Sequence, residues 1–119
     1  MAALRMATSG TRHVMDRAQA LESAKVSVAR TYYPDGTRRL IWSRLATPAF
    51  HEKTSNILCP TMILHGDADP IFPLEHGQDM ARRIPNSRLE ILQGAGHNHP
   101  VSLVPEITDK LTGFLSDVQ

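Results

Sequence analysis

Thr61-Met62-Ile63-Leu64-His65-Gly66-Asp67-Ala68-Asp69-Pro70 is an apolar run that breaks on Gly-Asp-x-Asp-Pro. Residues 61–64 have the length and continuous apolar character of a strand buried on both faces in a parallel sheet. Pro70 restricts the residue before it to extended or turn backbone, so Asp69 is delivered just past the strand end. A second stretch repeats the design: Leu89-Glu90-Ile91-Leu92-Gln93-Gly94-Ala95-Gly96-His97 is an apolar run that breaks on a glycine-flanked histidine. A carboxylate after one strand and an imidazole after the next are two members of an acid–base–nucleophile triad. The carboxylate fixes the tautomer of the ring, and the ring takes the proton of the nucleophile.

Between these runs, Leu74 or Glu75 to Ile84 reads as a helix stopped by Pro85. Strand, helix, strand predicts a crossover with parallel pairing. The second strand is expected over Arg88 to Leu92. A last helix begins near Pro105, whose missing donor costs nothing in a first turn. Its expected buried stripe is Ile107, Leu111, Phe114 and Leu115. Upstream, Val14, Ala18, Leu21, Ala24 and Val28 recur at helical spacing and predict a helix from Thr11 to about Thr31. Tyr32-Tyr33-Pro34-Asp35-Gly36 reads as a turn. A shorter helix is expected over Thr37 to Leu45, exposing Arg38 and Arg39 and burying Leu40, Ile41 and Leu45. Pro48 to Ser55 reads as loop or a brief helical turn.

From about Asn56 onward the chain resembles the C-terminal part of an α/β-hydrolase. The resemblance rests on Cys59-Pro60-Thr61 entering a strand, His65-Gly66-x-x-Asp69-Pro70 leaving it, Ile71-x-Pro73, a helix ending in Ile84-Pro85, and Gly94-x-Gly96-His97. It covers residues 56–119, and more weakly 31–55, where Tyr33-Pro34-Asp35-Gly36-Thr37-Arg38-Arg39 is similar to the cap of small ester-hydrolysing members. The resemblance implies an α/β fold of two units. Residues 1–55 are a cap-like helical segment, and residues 56–119 are a βαβα part holding the last two parallel strands of a larger sheet. It also implies Asp69 as triad acid, His97 as general base and then acid, a small ester-like substrate, and no organic cofactor or metal.

The family's nucleophile is a serine on a Gly-x-Ser-x-Gly elbow, and these 119 residues contain no such motif. Thr8-Ser9-Gly10 is the nearest mimic; it lacks the leading glycine and an apolar strand before it. The isolated chain is therefore expected to lack triad activity. Three explanations fit: a piece of a longer reading frame, one half of a split enzyme, or a non-catalytic binding or dimerisation module. The free edge of the first strand, Met62-Ile63-Leu64, is apolar and uncharged, so self-association or a complementing chain is expected there.

Other candidates have plainer readings. Asp67 is a solvated turn residue, and His99 lacks the glycine that precedes His97. His97 and His99 as a metal pair have no structural-zinc spacing around them. His65 is expected to pack beneath the acid loop, with His13, His51 and His76 facing solvent. Cys59 is expected to be a small buried residue, and Trp42, Tyr32, Tyr33 and Phe50 to pack in a core. Gly94 and Gly96 leave room for a sharp turn and a close substrate approach.

Composition narrows the rest. Thirteen Lys plus Arg against twelve Asp plus Glu leave no basic field for nucleic acid. No run approaches the roughly 18 apolar residues of a membrane span, and the N-terminus is too short and polar downstream for a secretory segment. One cysteine excludes an internal disulfide framework, so a cytoplasmic, reducing compartment is the expectation.

Overall fold

The computed structural model describes residues 2–48 and 51–118; Phe50 lies outside the described residues. Strand β1 (Thr61–Gly66) and strand β2 (Ser87–Leu92) form a two-stranded sheet and run parallel, in register from Thr61 opposite Ser87 to Gly66 opposite Leu92. The register ends level, so the segments leaving both strands emerge side by side at one rim. The α/β class and the parallel pairing read from the sequence are what the structure has.

The helix α4 (Leu74–Arg83) makes the crossover and packs against both strands. It stops before Pro85, with Ile84 buried as its C-cap. The C-terminal helix α5 (Val104–Asp117) carries Pro105 in its first turn. A small apolar centre forms where β2 ends: Leu92, Ala95 and Leu103 are buried, with Leu64 and Ile107 packed against them. Of the expected stripe on α5, Ile107 and Phe114 are shielded and the two leucines are not. Leu111 and Leu115 are exposed, whereas Leu103, Ile107, Lys110 and Phe114 follow helical spacing on the shielded side. Lys110 donates to Glu90 on β2 at 2.8 Å, and Arg88 reaches both Asp117 at 2.7 Å and the Phe114 ring. Cross-pairs to β2 therefore orient this helix, which a stripe of leucines does not reveal. Nor is β1 buried on both faces: of its side chains only Ile63 is buried, and among the described residues the strand pairs with β2 alone.

The N-terminal part differs more from expectation. A short helix α1 (Ala2–Ala7) precedes a loop through Asp16, and α2 runs Arg17–Arg30, starting later than Thr11. Asp16 caps it by accepting from the Gln19 amide at 2.8 Å, so helical geometry begins only after that side chain. The face of α2 turned to α1 is small: Ala20 is buried, Ser23, Ala24 and Ser27 are half-buried, and Arg5 donates to Ser27 at 2.9 Å. Of the narrow apolar stripe that predicts this helix, Leu21 and Val28 are exposed and Ala24 is half-buried, and Val14 lies exposed in the loop before the helix.

The next helix, α3 (Pro34–Ala46), begins inside the expected turn. Pro34 is tolerated as its first residue, where its fixed φ suits the helix and its missing N–H is not needed. Leu40, Ile41 and Leu45 are exposed on it rather than buried, and Tyr32, Tyr33 and Trp42 are also exposed rather than in a core. Nothing among the described residues packs over that face. A turn of 3-10 helix, His51–Asn56, leads to an exposed Cys59, which lies ahead of β1 rather than within the packed layer. Residues 8–12 return to the rim of the sheet, where Gly10 bridges Ala95.

The Cα radius of gyration is 16.2 Å, above the about 13.5 Å expected of a compact domain of this length. No helix of the described residues is long and apolar enough to cross a membrane.

Candidate active site

Asp69 follows Gly66 by three residues and His97 follows Leu92 by five, so the level ends of β1 and β2 place both on one rim. There the Nδ1 of His97 and Oδ2 of Asp69 lie 2.9 Å apart. A carboxylate only accepts, so Nδ1 carries the proton and donates, leaving Nε2 of the neutral ring with its lone pair. The Asp69 side chain is 7% exposed and that of His97 is 39% exposed. One end of the pair is shielded and the other is open.

The acid is held by its own turn. Oδ1 of Asp69 accepts from the amides of Ile71 at 2.7 Å and Phe72 at 3.0 Å. Burial pushes the carboxyl pKa up, but the Phe72 amide, the His97 ring and the Ile71 amide together outweigh it. Asp69 therefore titrates below its ordinary value of 3.8. Hydrogen bonds to the charged form dominate this balance.

Phe72 joins several parts of the rim. Its amide holds Asp69, its carbonyl accepts from His65 Nε2 at 2.9 Å, and its ring stands 5.4 Å from the His97 ring. Arg44 of α3 lies over the same ring at 5.1 Å. His65 thus packs beneath the acid loop, as its place at the strand end suggested, and leans on Gly77 of α4, where any Cβ would collide with its ring. A shallow depression of about 200 Å³ opens here, lined by Leu64, His65, Asp69, Phe72, His97 and His99 among others.

Three neighbours were harder to read. Asp67 is exposed, yet its Oδ1 accepts from the Gly94 amide at 2.6 Å and so ties the acid loop to the base loop. His99 lines the depression, but the carboxylate of Asp69 is met by His97. His13, expected to face solvent, is half-buried with Nδ1 3.5 Å from Ser102 Oγ; His51 and His76 are exposed. Gly94 takes a φ of +69°, the sharp turn its position implied. The space beside Gly96 is filled by the chain itself: a Cβ there would stand 2.3 Å from the Thr8 carbonyl. Close approach by residues 8–10, rather than by substrate, is what demands glycine. Ser9 is fully buried, donating to Met6 O and accepting from Met15 N, so its hydroxyl is spent on local structure.

Residues 3–100 match the family described as the alpha/beta hydrolase fold. The chain belongs to the α/β-hydrolase family. Among its relatives, the alpha/beta hydrolase domain-containing protein aho-3 of Caenorhabditis elegans is 32% identical over 96 residues, covering 80% of this chain and 28% of that one. A Synechocystis sp. protein named as a non-heme chloroperoxidase is 39% identical over 67 residues, covering 56% of this chain and 24% of that one. This α/β-hydrolase chain thus spans about a quarter of the length of these curated relatives. In fold it is similar to the crystal structure of a bromoperoxidase from Bacillus anthracis, with a TM-score of 0.78 at 23% identity, over 97% of this chain and 42% of that one.

Proposed function

We propose that this chain carries the acid–base half of a serine-type hydrolase site, with Asp69 as the orienting acid and His97 as the proton shuttle. One observation carries the reading: a shielded carboxylate is bonded to Nδ1 of a histidine whose other face is open. In that arrangement His97 Nε2 accepts a proton from an attacking hydroxyl and returns it to the leaving group. Asp69 stabilises the imidazolium between the two steps. The substrate class that fits acyl transfer is an ester or similar carbonyl compound, and proton transfer by this pair requires no metal or organic cofactor.

The reaction also needs a nucleophile and oxyanion donors. No Gly-x-Ser-x-Gly occurs in the 119 residues, so this reading takes both from outside them. One oxyanion donor alone is worth roughly a hundred- to thousandfold in turnover, so the isolated chain is expected to be inert toward esters. The test has two arms. In the first, the proton spectrum of the pure chain should show a low-field Nδ1–H signal from His97 that disappears in Asp69→Asn. An Nε2–H tautomer, or a signal indifferent to that change, would refute the pair. In the second, a fluorophosphonate probe and a chromogenic short-chain ester should give neither label nor turnover; a labelled serine would show that the nucleophile is internal.

The open edge of β1 favours a second reading. Among the described residues its strand pairs with β2 alone, and uncovered apolar edges recruit another strand. A binding or self-associating module, or one half of a split hydrolase, would use that edge. Native mass across a concentration series separates these: a dimer supports self-association, and a monomer that associates only with a Gly-x-Ser-x-Gly chain supports the split enzyme.

A further inference from the structure

Thr8-Ser9-Gly10 is set apart in the sequence as a poor nucleophile motif, and the structure gives it other work. The loop that carries His97, residues 93–100, has no helix or strand of its own. The two amides that flank His97 both donate to carbonyls some ninety residues earlier: Gly96 N to Ser9 O at 3.2 Å and Asn98 N to Thr8 O at 3.0 Å. Going the other way, Thr11 N and Arg12 N donate to Gly94 O at 2.9 and 3.0 Å. The Asn98 side-chain amide donates to Thr8 Oγ1 and, at 3.3 Å, to Arg5 O, while Thr8 Oγ1 itself donates to Leu4 O at 2.8 Å. Thr8 and Ser9 are buried.

We propose that Thr8 and Asn98 are positioning residues for His97, acting as a clamp that sets the backbone angle at which its Nδ1 reaches Asp69. The proposal rests on the acid–base reading above and deepens it. The acid needs no such help, since its own turn supplies two amides to Oδ1. The base has no such turn of its own: its ring meets Asp69 and Phe72, Asp67 and the Ala68 amide hold its loop at Gly94 and Ala95, and the amides on either side of His97 are held by Thr8 and Ser9. A slip of the loop by even part of a hydrogen-bond length would separate ring from carboxylate, because a charge-assisted bond of this kind weakens steeply with distance and angle. The hydroxyl of Thr8 links both parts of the clamp, as donor to α1 and acceptor from Asn98. An isosteric valine removes both roles, whereas serine keeps them.

The experiment reads the His97 Nδ1–H signal and its exchange with water in the full chain, alongside the β1–β2 amides as a report on the fold. Thr8→Val and Asn98→Ala each remove two side-chain hydrogen bonds and should each raise the Nδ1–H exchange rate at least about fivefold, the equilibrium effect of that loss. The β1–β2 amides should keep their protection, and Thr8→Ser should restore the wild-type rate. A signal unchanged in both Thr8→Val and Asn98→Ala would overturn the clamp while leaving the Asp69–His97 pair intact. A wild-type chain with no bonded Nδ1–H would instead overturn the pair. Should either variant fail to fold, exchange in the wild-type chain decides: the Gly96, Asn98 and Thr11 amides should open together. Gly96 and Asn98 exchanging as unprotected loop amides would sink the proposal.

Discussion

The sheet with α4 and α5 differs from α2 and α3 in how each region uses its apolar residues. In the first, Leu92 and Leu103 are fully buried, and polar cross-pairs such as Lys110–Glu90 fix the helix on the strand. In the second, Leu40, Ile41, Trp42 and Leu45 stand in solvent. A 13-residue helix such as α3 is near the length, ~12–15 residues, at which isolated helices are marginal in water. Its order depends on local bonds and on single links to the rest, such as Arg44 over Phe72. The difference teaches that the rim holding Asp69 and His97 is built on the well-packed region, whereas the helices reach it through few contacts.

The sharpest way to break this comparison is to truncate one leucine in each region. Leu92 is 0% exposed within the apolar centre, and Leu45 is 74% exposed on α3. Leu92→Ala should destabilise the chain by about 2–5 kcal/mol through lost transfer energy and a residual cavity. Leu45→Ala should stay within about 0.5 kcal/mol of wild type. Urea unfolding followed by circular dichroism measures both. Equal losses would mean that the helices are as integral to the fold as the sheet.

How much of this was legible in the sequence divides along the same line. The β1–α4–β2 crossover and the partners at the rim could be read because strand period, proline stops and glycine turns act locally. Asp69 and His97 stood out because a strand end fixes where the next few residues go. On α5 the stripe is half right: Ile107 and Phe114 lie on the shielded side, whereas Leu111 and Leu115 do not, because Lys110 takes the place beside β2 where its partner Glu90 lies. The Val14–Leu21–Val28 stripe predicts the helix, which forms over Arg17–Arg30, but not what covers it. Helical periodicity says which residues share a face, not whether anything covers it, and α1 seats itself against the small face around Ala20 instead. Asp67 reads in the sequence only as a turn residue, and Phe72 and Asn98 give no sequence signal of their own. Their roles come from loops that meet only in three dimensions.

A milder test exchanges glycines. Gly10 adopts a φ of +98°, and a Cβ there would lie 2.4 Å from Gly94 O and Gly96 N, backbone atoms that cannot swing aside. Gly10→Ala should cost about 1–3 kcal/mol for the strained conformation alone and should loosen the His97 loop. Gly36 sits within α3 near the Tyr33 ring, an exposed and movable neighbour. Gly36→Ala should be neutral or stabilise α3 by up to about 1 kcal/mol, since alanine is the better helix former. Melting curves with residue-resolved amide exchange would distinguish a global loss in the first from a local gain in the second.

The smallest expected effect is a pH dependence that belongs to the rim. Asp69 titrates below its ordinary value in the folded chain because its amide and His97 bonds outweigh burial. The unfolded chain therefore binds that proton more readily. The stabilisation is complete above the unfolded value near 3.8 and is lost as the pH falls through it toward the lower folded pKa. Part of the slope has other sources. Glu90 is lowered by its bond to Lys110, and Asp79 by its bond to Arg83, both in the same direction. Asp69→Asn should thus flatten the acid limb of a stability-against-pH profile without abolishing it. It should also lower stability at neutral pH, because the Ile71 and Phe72 amides lose a charged acceptor. Fluorescence-monitored urea unfolding between pH 2 and pH 7 (~5 pH steps) checks the sign. If the wild-type and Asp69→Asn profiles ran parallel, the carboxylate would not be titrating differently in the folded and unfolded chains. The strength assigned to its bonds at the rim would then have to be withdrawn.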